Sequence, residues 1–335
     1  MKFDFIIGNP PYQEETESES TRKPPIYNYF MDECFSISKS VELITPARFL
    51  FDAGYTPKAW NEKMLKDPDF KVLFYEPVSA KIFPNTDIKG GIIISYHEDD
   101  ANFGAIEIFT KYPELNTIIK KVRSKGESSL SDIISSPLSY KASARLLQDY
   151  PDSVGRLRTS AFSKLSDIFF ETPPHDGYEY IEMIGLLDGI RVHRFVRKEY
   201  IVDSSDTLNS YTLLVAKACG SGNFGETLSG FEIAQPGVGY TQTFIGVGKS
   251  KTRDEAENIG KYLRGKFARA MLGVLKITQD CPGPKWKYVP NLNFSKSSDI
   301  DWNKTVSEID RQLYDKYELE DSEIDFIETH VKEMQ

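Results

Sequence analysis

Short apolar runs alternate with helical patterns over the first hundred residues. Runs of strand length occupy residues 3–7, 41–45, 72–75 and 90–96. Pro24-Pro25 opens a helical pattern in which Ile26, Phe30, Cys34 and Ile37 recur, and further helical patterns begin near residue 48 and cover 57–65. Because strands that alternate with helices form βαβ units, this part of the chain predicts an α/β fold with a mostly parallel sheet and helices on its faces.

The pattern changes beyond residue 101. Residues 114–123 are typical of a helix, whereas the serine-rich residues 127–143 are typical of a loop. From residue 164 short strands alternate with glycine-rich turns, and residues 252–276 predict a helix or a pair of helices. We therefore expect two domains, residues 1–125 and 126–335, of which the second is mixed α/β.

Composition favours a folded protein without a membrane span. Of 335 residues, 40% are hydrophobic and 27% charged, and the longest apolar run, around residues 92–94, is far below the roughly 20 residues that a spanning helix needs. The N-terminus lacks the features of a secretory signal. The three cysteines and four histidines are scattered, which predicts neither disulfides nor a metal site and fits the reducing cytoplasm.

The net charge of -9 hides two oppositely charged regions. Residues 189–290 contain 15 Lys and Arg against 9 Asp and Glu, whereas residues 299–335 contain 4 against 12. The overall charge therefore does not exclude a nucleic acid as partner, because the distribution of charge decides binding. The acidic C-terminal region predicts a solvated helical tail whose apolar face carries Leu313, Tyr317, Ile324 and Ile327.

The end of the first predicted strand carries the sequence Asn9-Pro10-Pro11-Tyr12. Two prolines cannot continue a sheet, so they form a rigid turn whose carbonyl groups stay available. Such a turn can accept hydrogen bonds from an exocyclic amino group while the tyrosine stacks on the base that carries it. The alternative is a turn that merely ends the strand.

These residues belong to a wider resemblance. Residues 3–12, FDFIIGNPPY, resemble the catalytic motif of the NPPY (gamma-type) N6-adenine DNA methyltransferases of type II restriction-modification systems. Residues 43–50 and 81–96 resemble later core strands of those enzymes. Four segments resemble their target-recognition part: residues 239–248, 254–276, 286–295 and 308–328.

The resemblance implies a site-specific adenine methyltransferase that acts on a base flipped out of the duplex, with S-adenosylmethionine as methyl donor. The oxygens of the Asn9 side chain and the Pro10 backbone would accept the two amino hydrogens of adenine, and Pro11 would keep the turn rigid. Tyr12 would stack on one face of the base. Phe83 matches the position of a second stacking ring, although an ordinary core phenylalanine is an equally good interpretation.

The cofactor-binding half of such an enzyme is expected to be absent from this chain. In the gamma arrangement it precedes the NPPY motif, and only eight residues precede Asn9. The pattern FxGxG at residues 244–248 is an alternative cofactor loop, but no strand ending in an acid follows about 20 residues on. We therefore expect a partial Rossmann-like sheet, no assigned cofactor residues, and a missing half supplied by a partner or lost by truncation.

The basic region fits a contact with double-stranded DNA. Most of its cations would meet phosphates, which position the protein, and a few would reach base edges. Each of them taken alone is more simply interpreted as a solvated surface charge. The candidate DNA-binding residues are Arg191, Arg194, Arg197, Lys198, Lys217, Lys249, Lys251, Arg253, Lys285 and Lys287.

Two further functions compete with this interpretation. Pro68-Asp69 followed by Asp87-Ile88-Lys89 loosely matches a magnesium-dependent restriction nuclease. Alternatively, the chain is a DNA-specificity module or an inactive fragment. NPPY also occurs in methyltransferases that modify protein glutamine, but these have no need of about 200 further residues with a basic region.

Overall fold

A computed structural model describes residues 3–14, 24–51, 55–86, 88, 90–136, 138–276 and 278–334. The chain divides into two compact units, Met1–Asn116 and Thr117–Gln335. The division lies inside a helix, Pro113–Ser124, rather than in a linker. The domain boundary that the sequence suggests after residue 125 stays a prediction.

Within the described residues the N-terminal unit contains four strands and two α-helices. A third α-helix begins in this unit and ends in the C-terminal unit. In chain order these elements are β1 (Phe3–Gly8), α1 (Tyr27–Ile37), β2 (Ser38–Pro46), α2 (Lys58–Lys66), β3 (Phe70–Glu76), β4 (Ile92–Glu98) and α3 (Pro113–Ser124). Every strand predicted here is present. The helical pattern near residue 48 is a short 3-10 helix, Ala47–Phe51.

The four strands form one sheet in the order β1-β2-β4-β3. β1 and β2 are parallel, because α1 returns the chain across the sheet between them. β4 is antiparallel to both of its neighbours. β1, β2 and β3 run in the same direction, and β4 lies between β2 and β3 in the opposite direction. The prediction of a mostly parallel sheet therefore holds for the direction of three strands but not for the pairings, two of which are antiparallel. No helical crossover separates β3 from β4, so β4 returns in the opposite direction.

The two faces of this sheet differ in burial. One face packs against α1 and α2 and forms the core with Val41, Leu43, Phe70 and Ile93, all at most 3% exposed. The alternate residues of β1 project from the other face: Phe3, Phe5 and Ile7 are 45%, 49% and 72% exposed. Their exposure is unusual because a sheet strand of an α/β protein is buried on both faces.

The C-terminal unit contains eight strands and six helices within the described residues. They are β5 (Tyr140–Ala142), α4 (Ala144–Asp149), α5 (Ala161–Lys164), β6 (Tyr180–Leu187), β7 (Ile190–Arg197), β8 (Ile201–Asp203), β9 (Tyr211–Ala216), β10 (Glu232–Ala234), β11 (Val238–Tyr240), β12 (Phe244–Ser250), α6 (Arg253–Arg264), α7 (Lys266–Leu272), α8 (Val306–Lys316) and α9 (Asp321–His330).

Three small sheets organise this unit. Their strand orders are β10-β9-β12, β11-β6-β7 and β5-β8, and only the pair β11 and β6 is parallel. The serine-rich residues 127–143, predicted as a loop, also contain a 3-10 helix, Leu130–Ile133, and β5. The chain is therefore mixed α/β with several small sheets, as the predicted fold class requires in its coarse form.

The predicted helix pair at residues 252–276 is present and breaks at Gly265. The carboxylate of Asp310, from α8, accepts hydrogen bonds from the backbone N–H groups of Lys266 (2.8 Å) and Phe267 (3.1 Å). A Cβ at position 265 would lie 2.6 Å from the Asp310 oxygen. Glycine at this position thus allows one helix to cap the start of another.

The prediction of a merely solvated acidic tail is wrong for two of its acids. Asp310 is 2% exposed and Glu323 is 3% exposed. The Glu323 carboxylate accepts hydrogen bonds from the hydroxyl of Thr117 (2.6 Å) and the ammonium group of Lys121 (2.8 Å). Both acids can be buried because their carboxylates accept hydrogen bonds from donors that would otherwise be unpaired. The acidic tail is therefore part of the packed structure of the C-terminal unit.

The pKa of Asp310 makes stability depend on pH. Burial raises it from 3.8 to about 6, although the two N–H donors oppose the rise. Asp310 ionises near pH 4 in the unfolded chain but only near pH 6 in the folded chain. The free energy of unfolding should therefore fall by roughly 3 kcal/mol as the pH rises through this range. Relative to Asp310→Asn, the wild-type protein should lose stability as the pH rises from 4 to 7. Urea unfolding of both proteins across this range measures the difference, and a constant offset would contradict the prediction.

Candidate active site at the end of the first strand

The NPPY segment leaves the sheet at the carboxyl end of β1. Asn9 and Pro11 are exposed, while Pro10 and Tyr12 are partly buried. Just beyond the motif the chain pairs with the residues that lead into α1. The N–H of Ile26 donates to the carbonyl of Tyr12 (3.2 Å), and the N–H of Glu14 donates to the carbonyl of Pro24 (3.0 Å). This ribbon fixes the backbone on the far side of the turn.

Tyr12 is held in a partly desolvated environment. Burial raises the pKa of its hydroxyl to about 12, although the neighbouring Asn9 amide opposes the rise. The hydroxyl oxygen is buried and has no hydrogen-bond partner in the described structure. Tyr12 is therefore a neutral aromatic ring at all physiological pH values, as stacking on a base would require.

Three further polar atoms near this sheet edge are buried without a hydrogen-bond partner in the described structure. They are the hydroxyl oxygens of Tyr27 and Thr45 and the side-chain oxygen of Asn28. Tyr27 and Asn28 open α1, which starts beside Tyr12, and Thr45 lies near the end of β2. The carboxyl ends of β1 and β2 lie at the same edge because the strands are parallel. Ligands of α/β proteins bind at this edge.

Buried polar atoms without a partner normally cost about 1–3 kcal/mol each, so the oxygens of Asn28 and Thr45 are candidates for contact with a polar ligand at this edge. The Tyr27 ring packs on Phe49 and Trp60 in the core, and its hydroxyl lies near Thr56. The sequence analysis did not identify Tyr27, Asn28 or Thr45. The available signal was weak: a buried amide in the first turn of a helix and a threonine that precedes the proline at the end of a strand.

Phe83 follows β3, whose carboxyl end lies at the same sheet edge as that of β1. It belongs to the connection from β3 to β4, where the Ser79 hydroxyl accepts a hydrogen bond from the N–H of Ile88 (2.8 Å) and donates one to the carbonyl of Thr86 (3.2 Å). β1 and β3 are the outer strands of the sheet, about 14 Å apart at ordinary strand spacing. Within the described residues no ring contact joins Phe83 to Tyr12, so its stacking role remains a prediction.

The glycine pattern at residues 244–248 lies inside β12 rather than in a loop between a strand and a helix. A Cβ at Gly246 would collide with the Tyr240 hydroxyl, and one at Gly248 would lie 2.7 Å from Ile259 of α6. Both glycines therefore permit close packing. The position within a strand agrees with rejecting these residues as a cofactor loop.

The structure describes only part of the motif that suggested a magnesium-dependent nuclease. Asp87 and Lys89 lie outside the described residues. The Asp69 carboxylate accepts hydrogen bonds from the backbone N–H groups of Asp100 (3.3 Å) and Asn102 (2.8 Å), and thus stabilises the turn after β4. Among the residues that the structure describes, no group of three or more His, Cys, Asp or Glu side chains is suited to hold a metal ion.

Half of the predicted DNA-binding cations are paired with acids. The pairs are Arg191–Glu232 (2.9 Å), Arg194–Glu171 (3.0 Å), Arg197–Asp176 (2.9 Å), Lys198–Glu179 (2.8 Å) and Arg253–Glu257 (2.9 Å). The charge count over residues 189–290 missed three of these acids, Glu171, Asp176 and Glu179, because they precede residue 189 and pair with cations of β7 or just after it. The positive field of the β7 cations is correspondingly reduced.

The other five predicted cations are Lys217, Lys249, Lys251, Lys285 and Lys287, and none has an acidic partner in the described structure. Lys217 begins a glycine-rich loop that already encloses an anion. The Glu226 carboxylate accepts hydrogen bonds from the N–H groups of Ser221 (2.8 Å) and Gly222 (2.5 Å) and pairs with buried Lys276 (2.7 Å). Burial would raise the pKa of Glu226, but these partners lower it to about 2. The amides of this loop are thus occupied by the protein's own carboxylate.

Comparison with known proteins found two similarities. Residues 1–83 match the family model described as Eco57I restriction-modification methylase. Over 95 residues the chain is 34% identical to a protein of Mycoplasma pneumoniae named as an uncharacterized adenine-specific methylase. That alignment covers 28% of this chain and 22% of the relative, so the chain spans about a fifth of the length of the curated protein that it matches.

None of the described helices combines the length and the apolar character that crossing a bilayer would require. The family match covers the strand that carries Asn9-Pro10-Pro11-Tyr12 and the elements around it.

Proposed function

We propose that this chain provides the adenine-binding edge and the DNA-recognition region of a site-specific DNA adenine-N6 methyltransferase of a restriction-modification system. The observation that carries the proposal is the position of Asn9-Pro10-Pro11-Tyr12 at the carboxyl edge of a parallel strand pair, beside orphaned buried polar atoms. The same segment lies within the matched residues 1–83.

In the proposed reaction the chain binds and orients the amino group of a flipped adenine. The side-chain oxygen of exposed Asn9 and the carbonyl oxygen of Pro10 accept one amino hydrogen each. Two such hydrogen bonds draw the two amino hydrogens toward the protein. The nitrogen lone pair then points out of the ring plane, where it is available for methylation. Tyr12 stacks on the base and keeps water from one of its faces.

The described residues of the N-terminal unit do not fit S-adenosylmethionine, the methyl donor that the complete enzyme would use. A nucleoside-binding strand pair presents a glycine-rich turn after one strand and an acid after the next. Here β1 ends in Gly8-Asn9-Pro10 and β2 ends in Pro46-Ala47. We infer that the cofactor is held by another polypeptide segment or a partner subunit.

The free side of β1 is the place where we propose that this cofactor-binding part joins the sheet. Within the described residues β1 pairs only with β2, so its outer row of N–H and C=O groups is unpaired. Phe3, Phe5 and Ile7 next to this edge are exposed apolar residues. A strand added to β1 would satisfy the edge, and the segments attached to that strand would cover the apolar face.

An experiment with the polypeptide encoded immediately upstream tests this arrangement. The chain alone should bind S-adenosylmethionine too weakly for calorimetric detection at micromolar concentrations, and co-expression should yield a complex that methylates adenine in DNA. Ile7→Lys should abolish copurification, because a buried lysine would face the apolar interface. Ile190→Lys, an equally exposed position at the turn between β6 and β7, is the matched control. Micromolar cofactor binding by the chain alone would contradict the proposal.

A DNA-specificity module without catalysis is the second candidate, and the lack of fitting cofactor residues is the observation that favours it. In both cases the lysines without acidic partners are the proposed phosphate contacts. The two candidates differ in one property: only the methyltransferase requires Asn9.

A further inference from the structure

A cavity of about 590 Å³ opens between β10 and α6 in the C-terminal unit. Charged side chains line it, namely Glu232, Arg253, Glu257, Lys261 and Arg264, together with the ring of Phe231. Residues 254–276, which supply one wall of the cavity, resemble a target-recognition segment, but the resemblance gives no role to the cavity or to any residue in it. Its volume would accommodate a nucleobase or a phosphate group with its sugar.

Most of these charges are already compensated. Arg253 pairs with Glu257 at 2.9 Å, and Glu232 pairs with Arg191 at 2.9 Å. The ammonium group of Lys261 donates a hydrogen bond to the backbone carbonyl of Trp302 at 2.6 Å. Among the charged side chains that line this cavity, Arg264 is the one for which the described structure shows neither an acid nor a carbonyl that accepts a hydrogen bond.

The position of the Arg264 guanidinium is nevertheless well defined. Its central carbon lies 4.4 Å from the centre of the Phe231 ring, which is a cation-π contact. One turn earlier, a Cβ at position 260 would come within 3.1 Å of the terminal nitrogen of Arg264, so only glycine leaves this nitrogen its present space. Glycine inside a helix costs about 1 kcal/mol relative to alanine, so its presence in α6 has a local reason.

Burial alone lowers the pKa of Arg264, and no acidic group contributes to counter it. A guanidinium that is partly withdrawn from water without a counter-charge is costly unless its donors bind something. Its planar fork of N–H groups fits two adjacent acceptor atoms, such as O6 and N7 of guanine or two phosphate oxygens.

We propose that this cavity is a DNA-binding subsite in which Arg264, stacked on Phe231, donates hydrogen bonds to a pair of acceptor atoms of the bound duplex. The proposal rests on the proposed function, because the duplex is the ligand that a methyltransferase or a specificity module would bring to this unit. Among the cavity's cations, Arg253 is paired with an acid and the Lys261 ammonium is held by a backbone carbonyl, so the Arg264 guanidinium is the group with donors left for a single contact.

Sequencing of the bound fraction from a pool of randomised duplexes would test the subsite. The full chain should enrich a motif, and fluorescence anisotropy on that motif should show at least about fivefold weaker binding for Arg264→Met. Arg311→Met, on the exposed face of α8, removes the same charge and should bind like the wild type. Unchanged thermal melting would show that both variants are folded.

A second variant, Arg264→Lys, distinguishes the two sources of acceptors. If the partner is a phosphate, lysine should restore most of the affinity and the enriched motif should stay unchanged. If the partner is a guanine edge, lysine should not restore affinity, and one position of the motif should lose its preference.

Wild-type affinity and an unchanged motif in Arg264→Met would overturn the subsite while leaving the proposed function intact. No binding of any duplex by the wild-type chain, alone or with the cofactor-binding polypeptide, would overturn both.

Discussion

Replacing Asn9 by alanine should reduce methyl transfer to DNA by at least about 100-fold in the complete enzyme, because one of two oriented acceptors for the adenine amino group is lost. Asn9 is exposed at the end of β1, so the fold should not depend on it. The affinity for DNA should change by no more than about twofold, since phosphate contacts dominate it. Initial rates with tritiated methyl donor and anisotropy titrations measure the two quantities separately.

Tyr12 provides the matched comparison for this experiment. Tyr12→Ala removes the ring proposed to stack on the base and should strongly reduce methylation. Tyr12→Phe retains the ring and deletes only a buried hydroxyl that has no hydrogen-bond partner in the described structure, so its activity should stay close to wild type. A fully active Asn9→Ala enzyme would refute the assignment of this edge as the adenine site and would favour the specificity module.

Replacing Lys276 by methionine should destabilise the C-terminal unit by about 3–5 kcal/mol, because it leaves a buried carboxylate without its counter-charge. The Lys276 side chain is 4% exposed. Its ammonium group donates hydrogen bonds to Glu226 (2.7 Å) and to the carbonyls of Cys219 (3.0 Å) and Thr278 (3.2 Å). Urea unfolding monitored by tryptophan fluorescence, to which the buried Trp286 of this unit contributes, gives the free energy.

An exposed ion pair is the control for Lys276. Lys198→Met breaks the ion pair between Lys198 and Glu179, in which both side chains are more than half exposed. It should lower the free energy of unfolding by less than about 1 kcal/mol. The double variant Lys276→Met with Glu226→Gln should be less destabilised than the sum of its single variants, since it removes both charges. Equal effects of the lysine substitutions at 276 and 198 would show that the loop at residues 217–226 does not depend on its internal ion pair.

Local structure was largely predictable because it depends on neighbouring residues. The strand before Gly8, the proline that ends β2 and the helical character of residues 252–276 follow from patterns a few residues long, whereas the break at Gly265 was seen only in the structure. The position of Asn9-Pro10-Pro11-Tyr12 at a strand end belongs to the same class. Its chemical interpretation came instead from resemblance to a family.

Features that depend on distant residues were not predictable from the chain alone. The direction of β4 depends on how the connection after β3 returns. The acids opposite β7 lie up to 41 residues away from their partners, so a charge count along the chain could not pair them. The burial of Asp310 depends on α7, which lies 43 residues earlier. Charge and exposure in these places are properties of the tertiary structure.

The capping of α7 by Asp310 also constrains the order of events during synthesis. Glu323 binds Thr117 and Lys121, so the C-terminal half of α3 and the last helix, α9, depend on each other across about 200 residues of chain. A nascent chain that has emerged only to residue 300 therefore lacks both the carboxylate that starts α7 and the partner of Lys121. The N-terminal unit, whose sheet is complete by residue 98, can form on the ribosome while most of the C-terminal unit is still being made. Its exposed β1 edge is thus available to a binding partner before synthesis ends.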